Sequence, residues 1–141
     1  MEFKKAIQNV ISKQKRKKGT RAYLAGGEVH FSRLFGYKRV GDKYEPDERF
    51  KRYIEIIIRR FSEGKTLVEI KVELDSMGAR DSSHNKFGLL RILSIAQRPI
   101  YAGYLLKGLR FARITNLTPI VPLETWRKAQ PFVRREKKRC L

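Results

Sequence analysis

Arg91, Ser94 and Arg98 are spaced by three and four residues. On a helix advancing about 100° per residue they share one face. A guanidinium can donate two parallel hydrogen bonds to a guanine edge, and a hydroxyl can donate or accept at any base. The same groups bind phosphate oxygens equally well. Leu89, Leu90, Ile92, Leu93, Ile95 and Ala96 lie in the same stretch, NKFGLLRILSIAQRPIYAGY. Their helical spacing sets up a second, apolar face expected to be buried. Gly88 serves as a modest N-cap and Pro99 drives residue 98 out of the α region, so the helix is about three turns long. By itself the stretch also reads as an ordinary helix stop followed by a strand.

The preceding elements must position this helix. Thr66 and Glu69 form a capping-box pattern at the start of TLVEIKVELDSMG, in which Leu67, Ile70, Leu74 and Met77 make a buried stripe and Gly78 ends the helix. The two helices together read as helix-turn-helix. Their connection, Ala79 to Lys86, is polar and longer than the tightest such turns. Its Arg80, Ser82, Ser83, Asn85 and Lys86 suit phosphate contact, and a solvated loop explains each of them equally well. Upstream, Pro46 to Gly64 carries Asp47 and Glu48 at the positive end of a helix dipole and Arg59 and Arg60 at the negative end, with Gly64 placed for a C-cap. Phe50, Tyr53, Ile54, Ile57, Ile58 and Phe61 give it a core-facing side, broadened by Ile56.

Short hairpins are expected across Gly41-Asp42 and, between Tyr101 to Lys107 and Leu109 to Ile114, across Gly108, the second carrying Lys107, Arg110 and Arg113. Phe3, Ala6, Ile7, Val10 and Ile11 predict an N-terminal amphipathic helix. It runs into a basic segment, with Lys15, Arg16, Lys17, Lys18 and Arg21, that is too charged to bury and reads as a solvated tail or a nucleic-acid contact. The fold class expected is mainly α with small β-hairpins (α+β), a helix-turn-helix-like unit with an N-terminal helical arm. The division is 1–30 arm, 31–135 folded domain and 136–141 basic tail.

The chain has 141 residues, 41% of them hydrophobic, and 33 Lys and Arg against 14 Asp and Glu, a formal charge of +19. This is enough apolar content for one core, and the charge calls for a polyanionic partner. No apolar run is long enough to span a bilayer, and the first residues lack the apolar h-region expected of a signal peptide. Cys140 is the single cysteine, so no intrachain disulfide forms and a reducing cytoplasm is expected. With His30 and His84 far away in sequence it offers no zinc spacing, and no cofactor is expected. Both histidines read as surface or loop residues, and Trp126 as core.

Phe87, Gly88, Ile92, Ile95, Pro99, Tyr101 and Gly103 form a pattern that resembles the recombinase domain of the large serine recombinases. That pattern is an aromatic residue, a small cap, a short helix and then Pro-x-Tyr-x-Gly. Phe87 stands where the family usually has Trp, and Arg98 where Asn usually precedes the proline. Gly36-Tyr37 matches an earlier block without its usual prolines, and Pro119, Ile120, Val121, Trp126 and Gln130 match the closing block. The resemblance runs from about Phe35 to Gln130. It implies double-stranded DNA binding by the non-catalytic part of a site-specific recombinase, with a serine nucleophile in a catalytic domain outside this chain. No Tyr-x-Arg-x-Ser run occurs, and none of the serines sits in the arginine-rich constellation that the family uses for nucleophilic attack.

The chain is therefore expected to be a fragment that binds DNA without cutting it. Arg91, Ser94 and Arg98 are expected to face the major groove. Asn85, Lys86, Lys107 and Arg110 are expected to contact DNA beside them, and Lys15, Arg16, Lys17, Lys18 and Arg21 to follow the backbone or minor groove. The resemblance further implies a monomeric isolated domain, an oligomeric parent on DNA and a zinc ribbon beyond this segment. A stand-alone helix-turn-helix regulator and a basic RNA-binding protein are the alternatives.

Overall fold

The computed structural model describes residues 27–31 and 33–140; the expected amphipathic helix and the basic segment Lys15 to Arg21 lie outside them. Two antiparallel hairpins and four α-helices follow one another along the described chain. The first hairpin pairs β1 (Tyr37–Val40) with β2 (Lys43–Pro46), Val40 opposite Lys43 across Gly41-Asp42. Helices α1 (Glu48–Ser62), α2 (Leu67–Ser76) and α3 (Leu89–Gln97) come next. A 3-10 turn (Pro99–Ala102), β3 (Tyr104–Lys107), β4 (Arg110–Arg113) and α4 (Leu123–Cys140) complete the order.

Helix α1 is the hub, packing on α2, α3 and α4. Asp47 caps it by accepting from the Arg49 amide at 3.1 Å, and Gly64 takes the left-handed conformation just past its C-cap, Glu63. Phe50, Ile54, Ile57, Ile58 and Phe61 are buried on one side. Each such side chain removed from water contributes roughly 1.5–3 kcal/mol before chain entropy is charged against it. The capping box opens α2: Thr66 Oγ1 accepts from the Glu69 amide at 3.2 Å and Glu69 Oε1 accepts from the Thr66 amide at 2.8 Å. Arg60 of α1 donates to both carboxylate oxygens of Glu73 on α2, at 2.8 and 3.1 Å, which fixes the crossing of the two helices.

Three expectations change. Leu89 and Leu90, assigned to the apolar face of the third helix, are both exposed. Leu90 lies one turn before Ser94, on the polar side, and Leu89 sits at the first residue of α3. Met77, assigned to the buried stripe of α2, is half-buried. The second hairpin starts at Tyr104 rather than Tyr101, because Pro99 to Ala102 close a 3-10 turn first.

The chain beyond residue 135 is helical: α4 continues through Pro131 to Cys140. Glu136 explains this continuation. Its buried carboxylate accepts from the Leu67 amide at 3.1 Å, filling an open donor at the start of α2, and pairs with Arg135 at 2.7 Å and Arg139 at 3.0 Å. Upstream of residue 31, Asn116 accepts from the Val29 amide at 2.9 Å and donates to the carbonyls of Val29 and Asp42, each at 3.0 Å. This buried side chain ties residues 27–31 to the first hairpin.

Candidate nucleic-acid interface

Arg91, Ser94 and Arg98 are exposed along one side of α3, while Ile92, Leu93, Ile95 and Ala96 are buried on the other. Gly88 is the N-cap without a side-chain bond, and Arg98 leaves the helix in an extended conformation ahead of Pro99. From the opposite end Gln130 of α4 donates to the Ala96 carbonyl at 2.9 Å, satisfying an acceptor of the last turn. The loop before α3 is equally fixed. Asp81 Oδ1 accepts from the amides of Ser83 at 2.8 Å and Asn85 at 3.0 Å, and His84 turns the chain with φ 64°. Partial burial raises the Asp81 pKa, but the amides of Asn85 and Ser83 and the charges of Arg91 and His84 outweigh it, so the carboxylate is held below its usual range. Lys71 of α2 donates to the Phe87 carbonyl at 2.9 Å and anchors the far end of the loop.

The exposed side of α3 forms one wall of an open groove of about 960 Å³. Arg33, Arg39 and Arg49 reach it from the segment around the first hairpin, Ser82 and Ser83 from the loop, and Arg91, Ser94 and Arg98 from α3. Its floor is aromatic. The rings of Tyr37 and Tyr101 stack 6.1 Å apart at 9°, Tyr101 donates to the Phe35 carbonyl at 2.9 Å, and Tyr37 donates to the Thr118 carbonyl at 2.6 Å. Burial drives both phenol pKa values upward, and the neighbouring Tyr101 adds to the effect on Tyr37, so both remain neutral donors near neutral pH. The Arg91 guanidinium lies 4.8 Å above the Phe35 ring, a cation–π contact worth about 0.5–1 kcal/mol that holds it against the groove wall.

Gly36 lets the first hairpin come this close. Its φ is +91°, and a Cβ there would collide with Ile54 Cδ1 of α1. Asp47 turns its carboxylate toward Arg49 at 2.8 Å; that hydrogen bond, with the Arg49 amide and charge, keeps the acid ionised. Among the described residues no group of three or more His, Cys, Asp or Glu could hold a metal ion, and no helix is long and apolar enough to cross a membrane.

The groove thus unites Arg91, Ser94 and Arg98, as their spacing predicts. Asn85 and Lys86 are exposed next to it, and Lys107 and Arg110 face each other near the turn of the second hairpin without lining it. Arg33, Arg39 and Arg49 were not singled out by sequence. Their signal was an arginine on each side of Gly36-Tyr37 and one beside a helix cap, which carries weight only once the hairpin is folded beside α1 and shares a groove with α3.

Two of the solved structures that match the chain illustrate the likeness. One is described as "Sequence Requirements of the Listeria innocua prophage attP site"; the chains superpose with a TM-score of 0.64 and 20% identity over 93% of this chain and 53% of that one. The other is described as "Crystal Structure of a LSR-DNA Complex", LSR denoting a large serine recombinase, with a TM-score of 0.61 and 20% identity over 93% of this chain and 39% of that one. The chain shares its fold with both structures. It spans about half the length of the first and less of the second. No family model and no curated protein matches the sequence. At this identity the shared property is the fold, which in the described residues of this chain is four helices with two small antiparallel hairpins.

Proposed function

We propose that this chain binds duplex DNA as the non-catalytic part of a serine site-specific recombinase, with α3 in the major groove. The observation that carries this reading is the arginine-lined groove beside the exposed donor face of α3. Arg91 and Arg98 offer guanidinium forks to base edges or phosphates, and Ser94 sits between them. Arg33 and Arg39 approach the flanking backbone, and Arg49, already paired with Asp47, contributes less net charge. Asn85, Lys86, Lys107 and Arg110 extend backbone contact outside the groove, and Lys15, Arg16, Lys17, Lys18 and Arg21 continue it upstream. Backbone contacts set register and affinity, whereas base edges set sequence. Helices α2 and α3 act as a helix-turn-helix with a long, internally bonded turn.

The fold shared with DNA-bound recombinases supports this reading, as does the formal charge of +19. In that setting the chain positions a catalytic domain on its recombination site, and strand exchange by a serine nucleophile belongs to the longer parent. We place its action in the cytoplasm, one copy per asymmetric half-site. Selection from a random duplex library at about 50 and about 200 mM salt tests this. The expected outcome is an asymmetric enriched site whose preference relaxes with Arg91→Ala. Absence of any enriched sequence, or displacement of every duplex by structured RNA, overturns it.

A further inference from the structure

Leu90 is the second residue of α3 and is 72% exposed, although Ile92, Leu93, Ile95 and Ala96 around it are all buried. It therefore takes little part in the core. It stands four residues before Ser94, on the same ridge of the helix, and is the immediate neighbour of Arg91. An apolar side chain is thus set among the hydrogen-bond donors of the face assigned to base contact.

We infer that Leu90 is a specificity-determining residue that reads the 5-methyl group of a thymine, next to the base edge met by Arg91 or Ser94. The inference rests on the proposed placement of α3 in the major groove. The thymine methyl is the apolar group that a base pair shows on its major-groove edge, where the other recognition groups are hydrogen-bond donors and acceptors. Reading helices meet base edges through their N-terminal residues, which is where Leu90 lies. A second copy of this chain is a poor alternative cover for Leu90, because it too carries a formal charge of +19 and would bring its own arginines against this surface. A polyanion that displays methyl groups between acceptors satisfies both the charge and the leucine.

The test starts from the duplex that the chain selects from a random library, with each thymine replaced in turn by deoxyuridine, which removes only the methyl group. At one thymine the substitution should weaken wild-type binding by about fourfold, the equivalent of one buried methyl group. Leu90→Ala should weaken binding to the original duplex by at least that factor and should bind the thymine and deoxyuridine duplexes equally. Its far-ultraviolet circular dichroism should match wild type, since the side chain is outside the core. Full discrimination retained by Leu90→Ala overturns the inference. So does uniform tolerance of deoxyuridine while Arg91→Ala still relaxes the preferred sequence; in that case α3 reads the DNA and Leu90 does not. If Arg91→Ala leaves the preference intact, the placement of α3 falls and the thymine contact with it.

Discussion

Removing the Arg39 side chain should change how binding depends on salt by an amount that the groove geometry sets. Arg33, Arg39, Arg91 and Arg98 line the groove without an ion pair to a carboxylate among the described residues, whereas Arg49 is tied to Asp47. If each of the four neutralises one phosphate, they contribute about −3.6 to the slope of log affinity against log salt, at roughly 0.9 per contact. Raising salt from about 50 to about 200 mM then costs about 150-fold in affinity through the groove alone. Arg39→Ala brings that contribution to about −2.7 and the fall to about 40-fold. A basic segment outside the described residues would steepen both slopes equally and leave their difference unchanged. The fold should survive, because Arg39 is exposed and, among the described residues, its hydrogen bond goes only to the Gly41 carbonyl within its own hairpin. Fluorescence anisotropy with one fixed duplex over a salt series reads the slope directly. Slopes unchanged by both Arg33→Ala and Arg39→Ala, with a reduced slope for Lys107→Ala or Arg110→Ala, would refute the groove as the backbone-facing surface and transfer that role to the second hairpin.

Gly36→Ala combines a positive φ with a collision at Ile54, so urea denaturation should show a loss of about 3 kcal/mol, and a loss under 1 would mean that the hairpin moves freely from α1. Gln130→Ala removes the donor to the Ala96 carbonyl; a loss of about 1 kcal/mol and faster hydrogen exchange at the end of α3 are expected, and unchanged exchange there would show that Gln130 does not steady the reading helix. Glu136 has a carboxyl that burial pushes up but that the Leu67 amide and Arg135, with the charge of Arg139, bring below its usual value of 4.5. A lowered folded-state pKa means that the unfolded chain binds the proton more readily. The stabilisation is therefore present above the ordinary carboxylate pKa and lost as pH falls through the lowered one. Thermal melts from pH 6 downward should show a steeper loss for wild type than for Glu136→Gln in that acid window, and parallel curves would remove Glu136 from the acid sensitivity.

Short-range physics made much of this protein legible from sequence. The capping box at Thr66 and Glu69, the carboxylate at Asp47 and the proline after Arg98 are local signals, and each marks the helix boundary it predicts to within a residue or two. The common face of Arg91, Ser94 and Arg98 follows from helical geometry alone, because a helix fixes its own angular spacing. The buried aromatic Phe87 and the core position of Trp126 follow from their size.

Tertiary packing decided the rest. Periodicity gave α3 an apolar stripe but not its width, so Leu89 and Leu90 counted as core until the neighbouring helices were seen to cover only four of its apolar residues. The charged end of the chain read as a basic tail, yet Glu136 meets the open Leu67 amide from a position 69 residues away. Arg33, Arg39 and Arg49 became one surface with α3 only when Gly36 let the first hairpin approach α1. The amino-acid sequence by itself determined the helices, their caps and the charge available for a polyanion, because those depend on neighbours along the chain. Which apolar residues are covered, and which arginines share a groove, was decided by contacts between distant segments, since burial and proximity are properties of the folded chain.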